Sequence, residues 1–336
     1  MAALGVTNPN LLDLAKAMDP NGQIAAVIEI LNQTSEMLED MTWIEGNLLT
    51  GHRSTIRSGL PVPTWRRLYG GVPTTKSRRV QVTDNCGFLE DYSEVDKALA
   101  DLNGNSAAFR LSEDKAHIEG ISQELQSSII YANEGTASEE ITGLTPRYND
   151  TTAANAENMI SGGSAGGQTD NGSIWLVCWS PETVCGIYPK ASKAGLQVTD
   201  KGQVTVEDAS NGSNTGRMEA YRTHYKWDVG FSVRDWRYAV RIYNIDKSLL
   251  VKDAATGADL PDLMYQALEL IPNLSMGRPA FYMSRGMRSM VRRQLTNLTK
   301  NSTLTIENVG GKMVEKFQGV PLRRVDALAA DETRVA

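Results

Sequence analysis

Hydrophobic positions recur at two different spacings along the chain, and the spacing switches from segment to segment. Ile24, Val27, Ile28, Leu31 and Leu38 come after an Asp-Pro-Asn-Gly turn at 19–22 and sit at helical spacing, which predicts an early helix. A short amphipathic piece, Leu11-Leu12-Asp13-Leu14-Ala15, precedes it. The pair reads either as a surface helix with a frayed lead-in or as an arm that docks on a neighbouring subunit. A longer helix is predicted over 106–133, with Leu111, Ile118, Ile121, Leu125 and Ile129 on one stripe. Ser112-Glu113-Asp114 suits a helix start, and Asn133-Glu134-Gly135 ends it.

Strand patterns fill the middle. Ile174-Trp175-Leu176-Val177-Cys178 is a continuous apolar run, as a strand covered on both faces requires. Trp227, Val229, Phe231 and Val233 alternate in one phase, and Trp236, Tyr238, Val240 and Ile242 in the other. A one-residue phase shift turns every side chain over, so a bulge or sharp bend is predicted near Arg234-Asp235. The polar stretch 207–217 reads as a flexible tip between strands. Further on, Asp259 caps a predicted helix with Pro261 in its first turn and Pro272 just beyond its end. A strand over Pro279–Met283 leads to a second helix, capped by Ser284 and carrying Met287, Met290, Val291 and Leu295. Leu304-Thr305-Ile306 and Val320-Pro321-Leu322 read as closing strands, with Gly310-Gly311 and Gly319 at turns.

Residues 46–83 break this order. They hold Arg53, Arg57, Arg66, Arg67, Lys76, Arg78 and Arg79 and no acid. Ser58-Gly59-Leu60-Pro61-Val62-Pro63 supplies turn residues, and the flanking pieces Ser54–Arg57 and Thr64–Tyr69 suit strands. The segment predicts a long two-stranded hairpin, whose arms of ~15 residues would reach about 50 Å. A compact globule of this length has a radius of gyration of only about 20 Å. An isolated hairpin is marginal in water, so it should lie on something else, most simply on an acidic neighbour. Arg53, Arg57, Arg66 and Arg67 are therefore the candidate inter-subunit contacts. A loop folded back on its own chain is the other reading. Nucleic-acid binding is disfavoured, because no aromatic ladder accompanies the charge.

Composition narrows the function classes. The chain has 336 residues, 41% hydrophobic and 22% charged, an ordinary globular balance with enough length for one large or two modest cores. Its net charge of −6 argues against a non-specific nucleic-acid binder. The start lacks a secretory pattern, and no apolar run approaches the ~20 residues of a membrane span. Cys86, Cys178 and Cys185 are too few for a disulfide framework, which fits folding in a reducing cytosol. His52, His117 and His224 lie far apart, without partners at metal spacing, so no metal or other cofactor is expected.

The candidate catalytic motifs are weak. Gly162–Gly167 lacks the Gly-Lys-Ser/Thr ending of a phosphate loop. Gly-x-Ser-x-Gly also fits at 162–166, but a nucleophile elbow at Ser164 needs a strand before it and a helix after it, and neither pattern is present. Glu139-Glu140 are adjacent and do not face each other. Cys178 and Cys185 are too far apart for a redox pair and read as buried thiols. Arg66-Arg67 and Arg323-Arg324 read either as exposed charge or as bidentate partners at a subunit contact.

Several stretches resemble the major capsid protein family of tailed bacteriophages. They include Gly5–Asp13, Ile30–Thr34, Glu45–Leu48 with Thr50–Arg53, and Ala98–Asn105. Later ones are Lys193–Gln197, Tyr221–Asp228 and Met276–Tyr282, so the resemblance covers nearly the whole chain. It implies an α+β fold of the Hong Kong ninety-seven type. In that scheme 1–45 resembles the N-terminal arm and 46–83 the extended loop hairpin. Residues 84–140 and 200–246 match the peripheral domain, with its spine helix at 106–133, and 141–199 with 247–336 match the axial domain.

The resemblance implies a non-enzymatic subunit that assembles with itself, as hexamers and pentamers, into an icosahedral virion head around double-stranded DNA. Assembly in the host bacterial cytoplasm is expected. Scaffolding, portal and decoration proteins are the further partners expected, with packaged DNA touched at most non-specifically and no membrane. The match begins near Gly5, so no cleaved scaffolding segment is expected. No Lys–Asn pair for a cross-link is identified, so assembly is expected to be non-covalent. A hydrolase using the Gly-Ser loop and a tubular tail or sheath protein are the alternatives.

Overall fold

The computed structural model describes residues 36–102, 106–164, 169–207, 217–254, 257–297, 304–309 and 312–335. In chain order its main elements begin with α1 (Glu36–Asp40), β1 (Trp43–Glu45), β2 (Gly51–Gly59), β3 (Arg78–Asp96), α2 (Lys97–Asp101) and α3 (Ser106–Tyr131). The middle holds β4 (Met159–Ser161), β5 (Asn171–Trp179), β6 (Val184–Tyr188), β7 (Gln197–Glu207), β8 (Arg217–Val233) and β9 (Ala239–Asp246). Then come α4 (Leu260–Leu270), β10 (Arg278–Met283), α5 (Arg285–Asn297), β11 (Leu304–Val309), β12 (Lys312–Phe317) and β13 (Val320–Arg324). The early helix expected over 24–38 enters the described residues only as α1. The tip at 207–217, apart from its end residues, and the Gly310-Gly311 turn lie outside them.

The chain divides into two compact units. Among the described residues, one takes those of Phe88–Leu125 and Lys193–Asp228, and the other those of 36–87, Gln126–Ser192 and 229–335. In the first, β7 and β8 pair antiparallel from Gln197↔Lys226 to Glu207↔Arg217. The register shifts between Asp200 and Gly202, where the glycine adopts φ +67°. Val95, Leu99, Ala100 and Phe109 form the core here, with Tyr221 packed against them. Ion pairs tie the elements together, among them Arg110–Asp200 at 2.8 Å and His224–Glu90 at 3.1 Å.

Helix α3 departs from its expected stripe. Ile121, Leu125 and Ile129 are buried, but Leu111 and Ile118 are exposed. Phe109 takes the buried place near the start of the helix. At ~100° per residue it lies about 160° around the helix from Leu125. The two ends of α3 therefore bury different faces, and a single-stripe reading fails for its first half.

The second unit is organised on β5, all nine of whose residues are buried. It lies antiparallel between β9 and β10 and touches β6 in parallel at Trp179↔Val184. β13 adds parallel to β10, and β12 and β11 continue antiparallel. β1 adds parallel to β6, and β4 parallel to β9. A strand with neighbours on both edges and cover on both faces has no solvent side, which is why its sequence is continuously apolar.

The predicted bend is present. β8 ends at Val233, and a 3-10 turn over Trp236–Tyr238 precedes β9. The Asp235 side chain caps that turn by accepting from the Arg237 N–H. Two of the predicted helix starts are present, whereas Ser112-Glu113-Asp114 lies inside α3, which begins at Ser106. Asp259 accepts from the Asp262 N–H, with a proline in the first turn, and the Ser284 hydroxyl accepts from the Met287 N–H.

Candidate functional site

The basic hairpin is shorter in its pairing than the pattern predicts. β2 and β3 pair antiparallel from Gly51↔Asn85 to Gly59↔Arg78, with an irregularity between Arg57 and Gly59. Residues 60–77 form no strand. Pro61, Pro63 and Pro73 cannot donate to a ladder, and Gly70-Gly71 adds backbone freedom. The expected strand over Thr64–Tyr69 is instead irregular. It contains a turn closed by the Gly70 N–H on the Arg67 carbonyl at 3.1 Å, with Tyr69 at φ 62°. Arg66 Nε also donates to the Gly70 carbonyl at 3.0 Å.

The four candidate arginines share this hairpin but form no cluster of their own. Arg53 and Arg57 stand on the exposed face of β2, alternating with half-buried His52, Ser54 and Ile56. Arg66 and Arg67 lie in the exposed 60–77 segment. Arg53 donates to Thr83 Oγ1 at 3.3 Å. Among the described residues none of the four makes an ion pair. Beside them, Trp65, Leu68 and Tyr69 are 100%, 90% and 102% exposed. The charge reading missed these three side chains. The available signal was a tryptophan and a tyrosine within a Pro- and Gly-rich stretch, where no element can carry them inward. Exposed apolar groups this large and this close together make the segment a candidate interaction surface.

The root of the hairpin is built as rigidly as its tip is open. Asp84 is buried and accepts from Arg147 Nη2 at 2.8 Å and from the Ser232 hydroxyl at 2.6 Å. Arg147 also donates to the carbonyls of Thr142 and Phe231. On β2, His52 Nε2 faces Arg234 Nη2 at 2.7 Å. Burial, and then the Arg234 guanidinium, hold the His52 pKa below its ordinary 6.5, against a smaller upward pull from Asp84. Neutral His52 is therefore the acceptor. With the folded value below the unfolded one, the unfolded chain takes up more protons as pH falls through 6.5. The stability that neutral His52 contributes is thus complete above that pH and lost below it. The melting temperature of the subunit is expected to fall between about pH 7 and pH 5. His52→Gln, which keeps an acceptor for Arg234, should flatten that slope, and an unchanged slope would contradict the assignment.

The other arginine pair turns inward. Arg323 Nη2 meets Asp40 Oδ1 at 2.8 Å, and Arg324 Nη2 lies 3.8 Å from Glu36 Oε1, so both bind helix α1 of their own chain. Tyr282 joins this group, accepting from Trp179 Nε1 at 2.7 Å and donating to Asp40 Oδ2 at 2.9 Å. Those arginine–acid pairs are half-buried, whereas the Arg241–Glu332 pair, at 2.8 Å beside β5, is buried. None of these pairs was visible from sequence spacing.

The remaining chemical candidates do not converge. Contrary to the sequence expectation, a short strand, β4, does lead into the Gly-Ser loop, paired with β9 through only three residues. Residues 165–168 lie outside the described part, and among the described residues the element that follows Ser164 is strand β5 rather than the helix a nucleophile elbow needs. Ser164 is buried, and its backbone N–H donates to the Asn244 carbonyl. Cys178 and Cys185 are buried free thiols, each pushed up to about 11 by burial. No cluster of His, Cys, Asp or Glu able to hold a metal occurs among the described residues. No helix among them is long and apolar enough to cross a membrane.

Comparison with known proteins agrees with an assembling subunit. A family model described as major capsid protein GP7 matches residues 19–336. A chain of the cryo-EM-derived structure of bacteriophage Epsilon15 is 37% identical, with a TM-score of 0.82 and coverage of 100% of both chains. A chain of the bacteriophage JBD30 capsid aligns at 9% identity and a TM-score of 0.48, over 96% of this chain and 100% of that one. No curated protein matches the chain.

Proposed function

The chain belongs to the major capsid protein GP7 family, and from that membership we propose how it builds a shell. It is a phage capsid protein of the virion, with the α+β fold of the Hong Kong ninety-seven type, and it assembles with copies of itself into capsomers. In the proposed arrangement these are hexamers and pentamers that close an icosahedral head around double-stranded DNA. The subunit carries no catalysis of its own.

The observation that carries the reading is the 60–77 segment, which exposes Trp65, Leu68 and Tyr69 among arginines. Such a surface is costly to leave in water and is completed by a neighbour. Arg53, Arg57, Arg66 and Arg67 pair there with carboxylates of an adjacent copy. The net charge of the whole chain is −6, although 46–83 holds seven basic residues and no acid. The rest of the subunit is therefore strongly acidic and is a suitable bed for the hairpin.

The domain boundaries rest on the same reading. Residues 1–45 form the arm, 46–83 the extended loop, 84–140 with 200–246 the peripheral domain, and 141–199 with 247–336 the axial domain. The grouping of Phe88–Leu125 with Lys193–Asp228 supports keeping the peripheral segments together. Scaffolding, portal and decoration proteins complete the partner set, and the acidic balance leaves packaged DNA touched at most non-specifically. Electron microscopy of purified assemblies tests the proposal. Closed shells with six-fold and five-fold capsomers are expected, and open tubes would overturn it.

A further inference from the structure

The second unit carries a hollow of about 840 Å³ between α4 and β4. Met159, Ile160, Leu263 and Leu270 give it an apolar floor, and Glu157 and Glu269 stand on its rim. Both glutamates are exposed, and among the described residues neither has an ion-pair partner. The hollow is shallow and open to solvent, a shape that receives a side chain laid across it rather than one that encloses a ligand.

The hairpin tip presents the complementary set. Trp65 is fully exposed and is succeeded at once by Arg66 and Arg67, which have no ion pairs among the described residues. One surface offers an aromatic anchor flanked by two unpaired cations. The other offers an apolar hollow flanked by two unpaired anions. Tryptophan and arginine are the side chains that most often dominate binding energy when they fill a pocket. Opposed charge on the rim would steer and register the contact.

We infer that Trp65 of one copy seats in the α4–β4 hollow of a second copy, with Arg66 and Arg67 against Glu157 and Glu269. The inference rests on reading 60–77 as an assembly contact and names its receptor. Because the hollow and the tip belong to the same chain, each copy both gives and receives. A head-to-tail contact of this kind closes a ring when its rotation is right.

A photo-activatable benzophenone residue placed at position 65 of the full chain, irradiated in assembled shells and mapped by peptide mass spectrometry, tests this. Cross-links to 157–161 or 260–270 of another copy are expected. Cross-links to a different part of another copy would overturn the hollow as receptor while leaving the assembly role of 60–77 intact. Shells with no inter-chain cross-link from position 65 would overturn both.

Charge exchange serves where the modified chain does not assemble. Glu157→Lys with Glu269→Lys should lower shell yield at least about tenfold, because like charges then face each other across the contact. Adding Arg66→Glu and Arg67→Glu should restore most of it. Unchanged yield in the first variant, or no recovery in the second, would overturn the pairing.

Discussion

Replacing residues 60–77 with a two-residue Asn-Gly turn is expected to abolish shell formation while leaving the subunit folded. Gly59 and Arg78 already face each other across the ladder, and Asn-Gly closes such a pair in the turn type that suits a hairpin. The segment contributes no buried residue, so the folded subunit loses no core. Its melting behaviour should shift by no more than about 0.5 kcal/mol, as for other exposed changes. Assembly should respond very differently. Buried aromatic anchors at interfaces are each worth ~2 kcal/mol or more. Losing even about 3 kcal/mol weakens a pairwise contact more than a hundredfold, and a closed shell repeats the contact at every subunit. Sedimentation of the assembled fraction, alongside circular dichroism of the subunit, separates the two effects. Normal shells from the shortened chain would remove 60–77 from the assembly mechanism.

Glu332→Ala should be the most damaging single change to the subunit. Glu332 accepts from Arg241 Nη2 at 2.8 Å, from the Ser173 hydroxyl at 2.5 Å and from the Tyr131 hydroxyl at 2.9 Å. Its backbone N–H donates to the Asn171 carbonyl at 2.9 Å. One side chain near the end of the chain thus ties together β5, β9 and the last residue of α3. The Arg241 side chain is only 2% exposed and lies over the Trp175 ring. Removing the carboxylate strands that cation in a dry site, at a cost of about 3–5 kcal/mol. Total stabilities of ~5–15 kcal/mol leave little reserve against such a loss. Denaturant unfolding of the isolated subunit measures it. Arg241→Met combined with Glu332→Leu should recover most of the loss, because it removes the stranded charge as well as its partner. A single variant as stable as the natural chain would show that the pair is not buried as described.

Local patterns were legible where a single element decides them. The phase change between Val233 and Trp236 marked the bend, and the Asp259–Pro261 start marked α4. The apolar run at 174–178 marked the central strand. The resemblance to capsid proteins, carried by stretches such as Tyr221–Asp228, supplied the family. The features that escaped were non-local. Arg241 and Glu332 are 91 positions apart, and Arg147 and Asp84 are 63 apart, so no spacing rule joins them. Helix α3 misled because its two ends bury opposite faces, which places Leu111 in solvent and Phe109 in the core. The hairpin tip misled differently. Thr64–Tyr69 has strand-forming side chains, yet the prolines around it deny the ladder its donors. Trp65 therefore reads as a strand residue in the sequence and stands fully exposed in the fold. The candidate arginines do stand on this hairpin, but the apolar groups beside them were overlooked, because charge is visible in a sequence and exposure is not.

The central claim is that this hairpin tip is completed by another copy of the chain. Hydrogen–deuterium exchange of peptides covering 60–77, compared between dissociated subunits and closed shells, tests it most directly. Fast exchange in the subunit and strong protection in the shell are predicted. Equally fast exchange in both states would contradict the account.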